Sequence, residues 1–243
     1  MLTLIQTEFL KLRRKKFAWL TLPAALIMPF FALLYFKYLG QSDVEPMLFY
    51  KWSAFGFSLW IILPVILGML CIMLMQEERQ SHTLNQIWIV PVGRMEYFFS
   101  KFFVIFVYAL CFMLLTFAAS VLFSVLPGIV RFEWGSVLRL LEKCLEMGAL
   151  AALVMLPVLA VAASQKGPIF PACLTLVYVF SGFFLMPVNM YLHPISSMGA
   201  ILVRNQEIPG FMLTQAISIP FAVLCIGVWD LAAVLLAKLT LKR

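Results

Sequence analysis

Long apolar runs separated by short polar stretches form the pattern of this chain. Six of these runs are about 20 residues long, the length at which a helix crosses roughly 30 Å of hydrocarbon. The spans predicted in this way are 17–36, 55–75, 102–126, 145–163, 169–188 and 216–237. The sequence therefore predicts an all-α, polytopic membrane protein with six transmembrane helices.

The stretch 189–215 is apolar only in patches, because His193-Pro194 and Pro209-Gly210 interrupt it. We interpret it as an extracellular loop that dips back towards the membrane as short helices. Such a segment is stable only where protein or water satisfies its backbone hydrogen bonds.

The first sixteen residues carry a different pattern. Leu2, Ile5, Phe9 and Leu12 recur at helical spacing, while Lys11 and its basic neighbours are expected on the other side. This spacing predicts an amphipathic helix on the inner leaflet, with a basic tail near anionic headgroups. An ordinary basic flank that only sets topology is the alternative interpretation.

Composition and charge agree with a membrane protein and indicate its orientation. The chain is 64% hydrophobic and only 12% charged, whereas soluble proteins carry about 25% charged residues. Twelve Lys and Arg residues flank the spans on the side of the two termini, against six on the opposite side. This positive-inside bias predicts that both termini are cytoplasmic. The net charge of +7 is therefore interpreted as a topology signal, with no nucleic acid as partner.

The predicted cytoplasmic segment 76–101 is unusually long and polar for this chain. Residues 81–89 can form a short helix, which Pro91 then ends. Leu84, Ile87 and Trp88 share one face of that helix and form an apolar ridge. The ridge is expected either to dock on a partner protein or to lie flat in the headgroup region, where Trp is also common.

Two stretches resemble the permease subunits of ABC-2 type ABC transporters. They are QTEFLKLRRKK at the start and E-R-x-S-H-T-L-x-x-x-W-x-x-P-V-x-R from Glu78 to Arg94, followed by Lys101-Phe102. The likeness is to lantibiotic self-immunity and bacitracin-type peptide exporter permeases of Gram-positive bacteria. It implies one transmembrane domain over residues 1–243, an interfacial helix at 1–16 and a cytoplasmic coupling loop at 76–101.

The resemblance also implies partners and site residues. It implies ABC ATPase subunits, a second permease subunit that is identical or related, a peptide substrate, and the bacterial cytoplasmic membrane. The implied ATPase-coupling residues, including Trp88 of the ridge, are Glu78, Arg79, Thr83, Leu84, Trp88, Pro91 and Arg94. No G-x-x-x-x-G-K-[ST] occurs, so ATP and Mg²⁺ are expected on the separate ATPase chain, and this chain is expected to be no enzyme.

Other chemistry finds little support in the sequence. The five cysteines show no metal-ligand spacing, and neither does the Glu77-Glu78 pair with His82, so no metal site is predicted. Asp230 is the one acid well inside a span, near its inner end. Its carboxylate is expected either to line a substrate path or to form a structural hydrogen bond. A secondary carrier and a non-transporting membrane anchor or sensor subunit are the alternative functions.

Overall fold

The computed structural model describes residues 2–38, 44–80, 93–204 and 217–241, and within these ranges the chain forms α-helices and no strands. We number the α-helices in chain order. They are α1 (Leu2–Arg13), α2 (Lys16–Thr21), α3 (Ile27–Tyr38), α4 (Pro46–Ala54), α5 (Leu63–Gln80), α6 (Arg94–Val125), α7 (Trp134–Val154), α8 (Leu156–Ser164), α9 (Ile169–Leu185), α10 (Pro194–Val203) and α11 (Ile219–Thr240).

Five segments of the described chain are long and apolar enough to cross a membrane. These segments are Lys16–Tyr38, Pro46–Glu78, Arg94–Val125, Trp134–Ser164 and Ile219–Thr240. They confirm an all-helical, multi-pass membrane protein. The remaining predicted span, 169–188, coincides with α9, a shorter apolar helix of 17 residues. The count of six spans therefore stays a prediction.

Prolines explain the breaks within these segments. A 3₁₀ turn over Leu22–Leu26 carries Pro23 and joins α2 to α3. A π-helical turn over Ser58–Ile62 ends two residues before Pro64, which has no backbone N–H to continue the regular ladder. Pro157 lies in the first turn of α8, beside the break after α7. Each of these spans continues through its break.

The helices run back and forth between two ends of a bundle. One end, which we call the α1 end, carries α1, the last turn of α5 and the start of α6. The same end holds the last turn of α8, because Gln76 of α5 donates to the carbonyl of Ala162 at 3.1 Å. We call the other part of the bundle, from the Arg204–Glu146 ion pair after α10 to the connection from α6 to α7, the opposite end.

Helix α10 lies inside the bundle, in the stretch predicted to dip back from a loop. All ten of its residues are buried, and it packs against α7, α9 and α11. A Cβ added at Gly199 would lie 1.8 Å from the Trp60 ring, so glycine is the residue that lets α10 approach the π-helical turn. The extracellular location of this stretch stays a prediction.

Candidate functional site: the charge cluster at the α1 end

Helix α1 packs on the first half of α6 through its apolar side. Phe9 meets Phe103 edge to face, with the ring centroids 6.4 Å apart. Phe9 and Leu12 also contact the buried core. The N-terminal segment is thus helical over Leu2–Arg13, with part of its apolar side on protein, and its location on the inner leaflet stays a prediction.

Three charged side chains are buried where α1, α5 and α6 meet. Glu8 of α1 is 2% exposed, Glu78 of α5 is 3% exposed, and Lys101 of α6 is 1% exposed. The Lys101 ammonium donates to Glu8 Oε2 at 2.9 Å and lies 3.3 Å from Glu78 Oε1. One lysine thus links two carboxylates from two other helices.

Two further side chains complete this arrangement. Lys11 of α1 donates to Glu8 Oε1 at 2.7 Å and to Glu78 Oε1 at 2.5 Å. The Tyr97 hydroxyl donates to the second oxygen of Glu78, and the Lys101 ammonium lies 4.7 Å from the centre of the Tyr97 ring. We call Glu8, Lys11, Glu78, Tyr97 and Lys101 the charge cluster. Two acids face two bases, so the cluster has no net charge.

Lys11 shows how strongly the cluster holds its charges. Burial lowers the pKa of Lys11, but the hydrogen bonds from its ammonium to Glu78 and Glu8 raise it by more. The pKa of Lys11 therefore lies above its ordinary value, and the side chain stays protonated. The sequence had placed Lys11 away from the apolar side of α1. The structure instead turns this side chain towards Glu78, because two carboxylates lie there.

A second layer of contacts ties the end of α5 to its surroundings. Lys15, just after α1, forms an ion pair with Glu77. The Gln76 amide donates to the carbonyl of Gln165 at 2.9 Å, in addition to that of Ala162. The last turn of α5 is therefore joined to α1, to α6 and to the connection between α8 and α9.

The predicted coupling residues lie directly beside the charge cluster in sequence. Glu78 belongs to the cluster, and its carboxylate faces the interior of the chain. Arg94 begins α6 and is exposed. Arg79 lies in α5, with its side chain outside the described part. Thr83, Leu84, Trp88 and Pro91 also lie outside the described residues.

Sequence reasoning missed Glu8, Tyr97 and Lys101 as members of one site. Lys101 was used only in the family resemblance and as one of the basic residues that set topology, although it stands inside an aromatic run that enters α6. A lysine followed by a long apolar stretch, together with a glutamate on the apolar side of α1, was the available signal. No local spacing connects them, since Glu8 and Lys101 are 93 residues apart.

Asp230 lies apart from the charge cluster, in the middle of α11. The prediction put it near the inner end of its span, and in the structure α11 continues for 10 residues beyond it, to Thr240. Asp230 Oδ1 is buried and has no hydrogen-bond partner among the described residues. The structural hydrogen bond considered from the sequence is therefore not found there.

At the opposite end, an ion pair joins α7 to the residue after α10. Arg204 donates to Glu146 Oε1 at 2.5 Å, and Lys143 donates to Glu146 Oε2 at 2.7 Å. Side-chain exposure is 29% for Arg204 and 21% for Glu146. Within the described ranges, no group of three His, Cys, Asp or Glu residues is placed to hold a metal ion.

A family model described as ABC-2 family transporter protein matches residues 4–182 of the chain. The matched range covers well over half of the chain and includes every member of the charge cluster. Asp230 lies beyond it. No curated protein sequence gives a significant match.

Proposed function

Because the chain belongs to the ABC-2 family and is a membrane-spanning permease of an ABC transporter, we propose that it exports a membrane-active peptide antibiotic. The resemblance to lantibiotic and bacitracin-type exporter permeases supports this substrate class. In this proposal the permease lies in the bacterial cytoplasmic membrane with both termini inside, and its export protects the cell from the antibiotic.

ABC-2 permeases work with ABC ATPase subunits. We propose that ATP and Mg²⁺ bind to that subunit, since the permease sequence has no phosphate-binding G-x-x-x-x-G-K-[ST]. A second permease, identical or related, supplies the other half of the path. The permease itself then performs mechanical work and makes or breaks no covalent bond.

The observation that carries this proposal is the charge cluster, three of whose members flank residues 81–92 in the sequence. Glu78 precedes this stretch by three residues, and Tyr97 and Lys101 follow it in the first two turns of α6. A force on residues 81–92 therefore acts on the end of α5 and the start of α6 at once. The cluster conveys the same movement to α1, because Glu8 and Lys11 bind both helices.

The docking part of the proposal is tested on the predicted apolar ridge. We expect Leu84→Asp together with Trp88→Asp to abolish co-purification of the ATPase subunit, because two charges cannot enter an apolar groove. Membrane insertion should be unchanged. Leu126→Asp with Trp134→Asp is the matched control, since both residues are exposed and flank the connection from α6 to α7 at the opposite end. An unchanged amount of bound ATPase in the ridge variant would contradict docking through this segment.

The transport part is tested in a sensitive bacterial strain that produces the permease with its ATPase. We expect resistance to rise for lantibiotics or bacitracin-like peptides, measured as the minimal inhibitory concentration. An ATPase variant that binds ATP without hydrolysing it should give no resistance. Resistance that persists with this variant, but vanishes when the proton gradient is dissipated, would instead identify a secondary carrier.

A further inference from the structure

Asp230 occupies the centre of a membrane span. It lies 11 residues after the start of α11 at Ile219 and 10 residues before its end at Thr240. At 1.5 Å per residue, about 15 Å of helix separates it from either end. A carboxylate at this depth is costly unless water or a cation accompanies it.

No described residue supplies that cation. Asp230 Oδ1 has no hydrogen-bond partner among the described residues, and no described ion pair includes this carboxylate. In the five described spans, every lysine and arginine lies within ten residues of a span end. These bases are Lys16, Lys37, Lys51, Arg94, Lys101, Arg139, Lys143 and Lys238.

The surroundings of Asp230 are open on one side. The buried face of α11 includes Ala222, Ile226 and Ala233. Consecutive residues of an α-helix are rotated by 100° about its axis. On this geometry Asp230 lies at the edge of the buried face, and Gly227 lies farther round the helix, on the exposed side. Nothing lies within 4 Å of the position that a Gly227 Cβ would take. The carboxylate thus borders a notch in the helix surface.

Helix α11 also has one of the two most open surfaces among the spans. In its most apolar stretch 22% of the residues are buried, whereas the corresponding value is 61% for Pro46–Glu78 and for Trp134–Ser164. An exposed span with one central carboxylate and an adjacent notch suits a ligand that is apolar over most of its surface and carries a positive charge.

We propose that Asp230 and the notch at Gly227 bind a cationic group of the exported molecule, a primary amine or a guanidinium. This inference rests on the proposed function, because it specifies which membrane-active peptides the permease takes. The carboxylate pairs with the cation in a region of low dielectric, where such a pair is strong. Cationic amphipathic peptides then bind in preference to neutral ones of the same shape.

The test uses the full permease–ATPase complex in lipid nanodiscs. The probes are a fluorescent amphipathic peptide with free lysines and the same peptide with every lysine acetylated. We expect the wild-type complex to bind the free-lysine peptide more tightly. Asp230→Asn should weaken that binding by at least about tenfold and leave binding of the acetylated peptide unchanged, because only the charged probe loses a partner.

Three more variants separate the carboxylate from general packing. Asp230→Glu should retain the preference for the cationic peptide. Gly227→Leu should weaken binding of both peptides, because the side chain fills the notch. Val228→Asn is the matched control: it puts the same amide on an exposed position that points about 160° away from Asp230, and it should change neither affinity.

The outcomes distinguish this inference from the proposed function. Equal binding of both peptides by the wild type and by Asp230→Asn would overturn the cation site while leaving peptide export intact. No binding of either peptide by the wild type would overturn the site and count against peptide export as well. If Asp230→Asn instead separates the two permease copies and keeps the preference for the cationic peptide, the carboxylate contacts the second copy and the inference is wrong.

Discussion

Buried charges join three helices at the α1 end, whereas the ion pair at the opposite end is partly exposed. At the α1 end, Glu8, Glu78 and Lys101 are each no more than 3% exposed and bind one another. At the opposite end, Glu146 and Arg204 remain 21% and 29% exposed. The two ends therefore respond differently to the loss of a single charge.

Solvent explains the difference. A buried ion network is weak evidence for high stability, because the desolvation of its charges offsets much of their attraction. However, removal of one member leaves another charge buried without compensation. A partly exposed ion pair costs little to break, because water replaces the lost partner. The α1 end is thus the less tolerant of the two, and it is also the end that the proposed coupling needs to keep rigid.

The largest expected effect comes from Lys101→Met. This change leaves Glu8 and Glu78 with only Lys11 as a base, and one buried carboxylate loses its compensation. We expect the free energy of unfolding to fall by about 3–5 kcal/mol. Chemical unfolding of the purified permease in mixed micelles measures this change.

A double variant sharpens that result. Glu8→Gln together with Lys101→Met removes one acid with one base, so the remaining pair of Lys11 and Glu78 stays neutral. We expect the double variant to lose less stability than Glu8→Gln and Lys101→Met lose together, by a coupling energy of about 0.5–3 kcal/mol. Strictly additive effects of the two changes would show that Glu8 and Lys101 do not act as a unit.

The second effect concerns packing at α10. Gly199→Ala puts a Cβ 1.8 Å from the Trp60 ring, and the indole has to move. We expect a loss of about 1–3 kcal/mol of stability from overpacking. Gly227→Ala is the control, because a Cβ there meets open space. Equal stability of the two alanine variants would show that α10 and the π-helical turn are not tightly packed.

Sequence alone predicted the features that depend on neighbouring residues. The apolar runs identified the helices, and the match to residues 4–182 confirms the ABC-2 family inferred from two short stretches. Asp230 was recognised as a charge within a span for the same reason. The helix that carries Asp230 begins and ends three residues later than the predicted span, at Ile219–Thr240 instead of 216–237.

Contacts between distant parts of the chain were not predictable in this way. Glu8 and Lys101 each looked like an ordinary charge next to a span, and only the packing of α1 on α6 brings them together. The contact between Gly199 and Trp60 has the same origin, since it joins α10 to a turn more than a hundred residues earlier. A single sequence contains the residues of such contacts without any spacing that relates them.

A smaller effect is expected at the start of α10. The imidazole Nδ1 of His193 accepts a hydrogen bond from the Ile195 N–H at 3.2 Å and caps the helix. We expect His193→Ala to lower stability by about 1 kcal/mol, and His193→Asn to retain most of it, because Asn is a favoured N-cap residue. If both variants lose the same stability, the contact of the ring with Tyr178, at 4.4 Å between centroids, is the main contribution.

The smallest effect is expected for the ion pair at the opposite end. Arg204→Gln removes one of the two bases that bind Glu146, while Lys143 keeps its own hydrogen bond of 2.7 Å. Because Arg204 and Glu146 are both partly exposed, we expect a loss below about 1 kcal/mol that shrinks further as salt is raised from 0.1 M to about 1 M. Arg139→Gln, an exposed arginine on the same helix as Glu146, is the control and should cause no measurable loss. A loss for Arg204→Gln that is as large as that for Lys101→Met and insensitive to salt would contradict this distinction between the two ends. Such a result would require the Glu146 pair to be as shielded from water as the charge cluster.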